Sequence, residues 1–247
     1  FLRVRMPGVR NALMNLALYE DEDGLLRDLP GWNYLDWVKD WNDGQESGVP
    51  PGCHYGEEPG ALTSLLYLNA LKAAGEVDEA IGEHHFAAQW REKADRLGRS
   101  LARLFWDASR GAMADARVHG TFSEHAQCLG ILSGILDGGR RDAALAALAS
   151  GKGLVRASTY FAYYLFEAFA QCGRSDLIRD RLDGWRTFLE HGAKTTFETQ
   201  SRAPFVTRKP AVESGKTVAP ASPTIVRSCV TSIAFDSVPL PLSTTLV

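Results

Sequence analysis

The sequence predicts an all-α protein of stacked helical hairpins, and the prediction rests on the order of its apolar segments. The stretches 62–74, 123–136 and 159–171 are long, apolar and nearly free of charge. They exceed the length of an ordinary strand. Each is followed by a segment with an amphipathic helical pattern, so buried and half-buried helices alternate along the chain. An open helical solenoid and a closed toroid of hairpins both produce that alternation. No repeat of fixed length with recurring motif residues is visible, which favours the toroid.

The elements follow in order. In 31–41, Trp37 and Trp41 lie four apart, as do Asp36 and Asp40. A helical turn there would present one aromatic and one acidic face. Gly48-Val49-Pro50-Pro51-Gly52 then ends the element. After the first buried helix, the segment 86–106 sets Trp90, Ala94, Leu97, Leu101, Leu104 and Phe105 against Arg91, Glu92, Asp95, Arg96, Arg99 and Arg103. Thr121 followed by Glu124 reads as a capping box opening the second buried helix. A shorter amphipathic helix is expected over 140–149. The third buried helix is apolar almost all round, as a helix enclosed on most sides must be. In 175–190, Leu177, Ile178, Leu182, Trp185, Phe188 and Leu189 oppose Arg179, Asp180, Asp183 and Arg186. Gly173 and Gly192 stand where helix C-caps belong.

The tail, 201–247, is rich in Ser, Thr, Val and Pro and has no helical period. It reads as short strands, as disorder, or as something other than the native continuation. The expected division is therefore 1–200 for a helical domain and 201–247 for an irregular tail. The chain opens on Phe1, with no signal-like segment before its first helix, and is expected to be a piece of a longer protein.

Composition narrows the function. The 247 residues are 45% hydrophobic and 23% charged with a net charge of −3, ordinary for a globular chain. A mildly acidic balance without a basic face argues against nucleic acid. The apolar runs are too short for a membrane span. Cys53, Cys128, Cys172 and Cys229 lie far apart and give neither a zinc spacing nor a disulfide framework. Cys128 and Cys172 read as small hydrophobes within helices. His84 and His85 are adjacent, point about 100° apart on a helix and are expected at the surface rather than on a metal. No cofactor is implied.

Sugars are bound by aromatic faces and by carboxylates or amides, and 31–41 is dense in both. Trp32, Trp37, Trp41 and Asp36 are therefore candidate sugar-binding residues, although such residues equally serve as core and solvated surface. Glu198, in a short extended run after a helix end, is a candidate catalytic carboxylate, since glycoside hydrolysis needs two, although an isolated loop glutamate is usually only solvated. His125 and Gln127 stand at the mouth of a buried helix, where ligand contact and local hydrogen bonding compete.

Trp32-Asn33-Tyr34-Leu35-Asp36-Trp37 resembles the aromatic-x-aromatic-aliphatic-Asp-Trp signature of glycoside hydrolase family 78, the α-L-rhamnosidases. Ser123-Glu124-His125-Ala126-Gln127 is similar to the family's Ser-x-His-Ala-x segment. Ser158-Thr159-Tyr160-Phe161 resembles the start of its next inner helix. Gly192-Ala193-Lys194-Thr195-Thr196-Phe197-Glu198 is similar to the region bearing the general base. The motifs keep the family's order over roughly 10–200. The resemblance implies a partial (α/α)6 barrel and inverting hydrolysis of terminal α-L-rhamnose from a rhamnose-containing glycoside. It makes Glu198 the base and Asp36 and Trp37 part of the rhamnose pocket. Two departures stand out. The family's acidic motif carrying the general acid precedes the Trp-Asp-Trp region and is not expected in this chain. No Ser-His-Ala-Trp type segment follows Glu198, where Ser201-Arg202-Ala203-Pro204 stands instead.

Overall fold

The computed structural model of the protein describes residues 1–41, 48–190 and 192–195, and of Asp40 only the backbone. Glu198, the acidic face expected to include Asp40, the boundary near 200 and the tail 201–247 lie outside the described residues.

Helix α1 (Leu2–Leu16) precedes three hairpins: α2 (Ala61–Ala80) with α3 (His84–Leu104), α4 (Glu124–Leu132) with α5 (Gly138–Ser150), and α6 (Ala162–Gln171) with α7 (Ser175–Asp183). A short α8 (Arg186–Glu190) follows. The first helices of the hairpins form an adjacent row, α2 against α4 and α4 against α6. Each is backed by its own partner, and α1 packs on α2. This is the inner and outer layering of a partial helical toroid.

The layering follows from side chains. On α2, Leu62, Leu65, Leu68 and Leu71 are all fully buried. They recur every three residues, and each contributes roughly 1.5–3 kcal/mol by leaving water. On α3 the buried stripe is Trp90, Ala94, Leu97 and Leu101, with the arginines on the other side. Inner helix α4 buries eight of its nine residues, which a helix enclosed by α2, α5 and α6 requires. Leu129, Leu165 and Phe169 join these groups in one continuous core.

Several details depart from the sequence expectation. The capping box does not form: the N-cap of α4 is Ser123, whose hydroxyl accepts from the Ala126 N–H, and Glu124 turns elsewhere. The amphipathic helix 86–106 stops at Leu104, and Trp106–Asp107 pairs with Ala112–Met113 in a small hairpin. Asp107 folds its turn by accepting from the Ser109 and Arg110 N–H groups, a local bond that competes with helix. The expected helix 175–190 breaks between α7 and α8 at Gly184 and Trp185. Leu182 and Leu189, assigned to its apolar face, are exposed. His84 and His85 are at the surface as expected. Gly173, with φ of +69°, follows the end of α6.

Candidate functional site

The segment 31–38 has no regular secondary structure in place of the expected helical turn, and only Lys39–Trp41 forms a short 3₁₀ turn. Backbone bonds from Leu35 and Asp36 to the Gly48 carbonyl hold it. The Asn33 amide donates to the carbonyls of Leu29 and Cys53. Gly48 is required here: its φ is +69°, and a Cβ would stand 2.4 Å from the Tyr34 ring. The expected face shared by Trp37 and Trp41 does not form: Trp37 packs on Trp32 and Tyr34, and Trp41 on His125. Trp37 stays near the rim, while Trp41 is buried with its ring 4.6 Å from that of His125.

At the rim, Trp32, Tyr34 and Trp37 form a triangle of tilted rings, with centroids 5.1, 5.7 and 5.1 Å apart. Tyr160, from the loop before α6, adds a fourth ring 6.1 Å from Tyr34. Trp32 is 63% and Tyr160 53% exposed. Such exposed aromatic faces suit the C–H surface of a sugar.

Beneath the rings lies Asp36, fully buried. Its Oδ1 accepts from the Trp37 N–H at 2.9 Å and from the Ser158 hydroxyl. Oδ2 accepts from His125 Nε2 at 2.7 Å and from the Ser158 N–H at 2.9 Å. Two backbone N–H groups and a hydroxyl donate to it, the surroundings of a carboxylate. With the carboxylate accepting, His125 carries its proton on Nε2. The His125 ring is held between Trp41 and Phe161, the latter 4.4 Å away. Its Nδ1 has no partner among the described residues.

Ser158 in turn accepts from the Tyr160 N–H at 3.1 Å. The loop carrying these residues is fixed to α4 on its other side. Glu124 accepts from the Ala157 N–H at 2.9 Å and from Arg181 of α7. Backbone bonds join Phe122 and Glu124 to Val155. Gln127 is also buried and clamps the Met113 backbone, accepting from its N–H and donating to its carbonyl, both at 2.7 Å. Local bonding, not an open surface, is where Gln127 is placed.

The structure therefore brings Asp36 and His125 into one hydrogen-bonded cluster, sets Trp32 and Trp37 above it, and puts Trp41 behind His125. Sequence reasoning did not single out Tyr34, Ser158 or Tyr160 as site residues. The signal was present in Ser158-Thr159-Tyr160, a polar and aromatic step ahead of an apolar helix. Among the described residues no group of three His, Cys, Asp or Glu side chains is placed to hold a metal ion. No described helix is long and apolar enough to cross a membrane.

No protein-family model matches the chain, and no curated protein does. Solved structures do. A GH78 family rhamnosidase of Bacillus sp. GL1 aligns at a TM-score of 0.68 and 23% identity, over 80% of this chain and 20% of that one. A rhamnosidase from Klebsiella oxytoca with rhamnose bound aligns at 0.66 and 20% identity, over 81% of this chain and 36% of that one. The chain shares its fold with part of these rhamnosidases, spanning 20% and 36% of their lengths.

Proposed function

We propose that this chain carries the sugar-binding rim and the general base of an inverting α-L-rhamnosidase of glycoside hydrolase family 78. The observation that supports it is the cluster of exposed Trp32 and Tyr160 with half-buried Tyr34 and Trp37 beside Asp36, on a fold shared with a rhamnosidase that has rhamnose bound. In this reading Trp37 and Trp32 face the non-reacting side of the sugar, where an aromatic ring excludes water from its C–H groups. Glu198 takes a proton from the water that attacks the anomeric carbon. A second carboxyl group, supplied from outside these residues, protonates the departing oxygen. In inverting enzymes the two groups stand about 6.5–9.5 Å apart, leaving room for that water.

Binding is the direct test. Titration of the protein with L-rhamnose, followed by tryptophan emission, is expected to give a saturable change that Trp37→Ala abolishes. D-Glucose is expected to give none. Equal responses to both sugars, or a response that survives Trp37→Ala, would favour a non-specific helical scaffold and overturn the reading.

A further inference from the structure

We infer that Asp36 is a positioning residue and not a sugar ligand: with Ser158 and His125 it sets the spacing of the aromatic rings that meet the substrate. The inference deepens the rhamnosidase reading, on which its substrate arm rests. Asp36 is fully buried, and both of its oxygens are already engaged by Trp37, His125 and Ser158. Neither a face nor a free acceptor is left for a hydroxyl group. Its bonds lead outward instead. One oxygen holds the backbone of Trp37, whose ring is at the rim. The Ser158 hydroxyl donates to that same oxygen and accepts from the backbone of Tyr160, whose ring is also at the rim. Trp37 and Tyr160 are far apart in sequence and both contact Tyr34 through their rings. A single carboxylate thus couples the two loops that carry the platform. His125, fixed between Trp41 and Phe161, anchors that carboxylate to the inner helix α4.

The chemistry explains why an amide would not serve. In Asp36→Asn one oxygen becomes an NH₂ donor. In one orientation it faces the Trp37 N–H, and in the other the Ser158 N–H and the His125 Nε2–H. A donor meets a donor either way, and a buried unpaired donor is expelled or forces the backbone to shift. Ser158→Ala acts more gently, removing the link to Tyr160 while leaving the Asp36 bonds to Trp37 and His125.

The test reads the rings separately from the sugar. Near-ultraviolet circular dichroism reports the coupling of close, tilted aromatic rings, and far-ultraviolet dichroism reports the helices. Asp36→Asn and Ser158→Ala are expected to lower the near-ultraviolet signal with the helical signal kept. Ser158→Thr, which retains the hydroxyl, is expected to restore it. L-Rhamnose affinity should fall by about tenfold or more in both damaged variants. An unchanged near-ultraviolet spectrum in Ser158→Ala overturns the inference. So does a loss of affinity in Asp36→Asn with the rings unmoved, because Asp36 would then touch the sugar. If Asp36→Asn does not fold, Ser158→Ala with its Thr rescue decides alone. If the unaltered protein binds no L-rhamnose, the spectra still decide the positioning role, and the rhamnosidase reading alone fails.

Discussion

Asp115 is fully buried, its Oδ1 accepting from the Ser123 hydroxyl at 2.6 Å while Oδ2 has no hydrogen-bond partner among the described residues. Burial raises its pKa from the ordinary 3.8 to about 7, with Ser123 and, more weakly, the facing Trp41 indole opposing the rise. An acid raised in this way makes stability depend on pH with a definite sign. Between about pH 4 and pH 7 the folded chain keeps a proton that the unfolded chain has released. Stability therefore falls as pH rises through that window, by up to about 1.4 kcal/mol per unit, and the loss levels off above it. Asn at this position still accepts from Ser123 and cannot ionise. Asp115→Asn is thus expected to match the parent near about pH 4.5 and to exceed it near about pH 8 in urea midpoint. Equal midpoints near pH 8 would show that the carboxyl ionises without cost. In the sequence Asp115 is a lone aspartate between alanines, and nothing local marks it as enclosed. Asp36 was visible through its aromatic neighbours, yet its burial and its partners His125 and Ser158 depend on tertiary placement. Periodicity carries no information about that placement.

The hairpins were more legible than the residues that join them. Alternation of apolar and amphipathic segments placed α2 to α7 because a buried face must be apolar, and apolar spacing is written in the sequence. The apolar run ends near Ala74, where polar residues begin, but α2 continues to Ala80. The added length carries a part-buried ion pair that hydropathy does not register. Asp78, fully buried, accepts from Arg10 of α1 at 2.5 Å and from the Trp90 indole N–H of α3 at 2.9 Å. Arg10 also lies 4.0 Å from the centre of the Phe86 ring. One carboxylate thus ties three helices together. Asp78 is fully buried and Arg10 partly so, and Asp78→Ala also strands the buried Trp90 N–H; breaking a fully buried pair costs about 3–5 kcal/mol, the upper bound here. Asp78→Ala is expected to lose about 2–4 kcal/mol in urea unfolding, and Arg10→Ala with Asp78→Ala to lose less than the sum of the single changes. A loss for Asp78→Ala below about 1 kcal/mol, the range of an exposed pair, would mean that α1 is fastened by its apolar contacts alone. The break at Gly184 escaped the sequence reading for a different reason. Leu182 and Leu189 keep a helical spacing with Trp185 and Phe188, but they stand exposed and spacing alone does not secure burial.

At the scale of the whole molecule, the shared fold covers 80% of this chain but only 20% and 36% of the rhamnosidases it matches. The proposed division of labour follows from the sequence. A residue matching the base motif, Glu198, is present, and no match to the acidic motif of the general acid is. The proposed reading, with Glu198 as the base and the general acid supplied from elsewhere, makes a sharp kinetic prediction, because the two groups assist different events. The base is needed whenever water attacks. The acid is needed only when the departing oxygen is too basic to leave unprotonated, and its help is then worth about 10²- to 10⁴-fold. Residues 1–247 are therefore expected to hydrolyse α-L-rhamnosyl fluoride, whose fluoride ion departs without a proton, and to leave methyl α-L-rhamnoside untouched. Attack from the face opposite the leaving group gives the β-anomer first, which proton NMR detects before mutarotation. Glu198→Gln should lower the fluoride rate by about 10²- to 10⁴-fold, the share owed to proton removal. It should leave L-rhamnose binding at Trp37 unchanged, since binding and proton removal are separate tasks. Cleavage of the methyl glycoside at a rate comparable with the fluoride would place a general acid within this chain. Full fluoride hydrolysis by Glu198→Gln would remove Glu198 from the mechanism, and α-configured first product would exclude inversion.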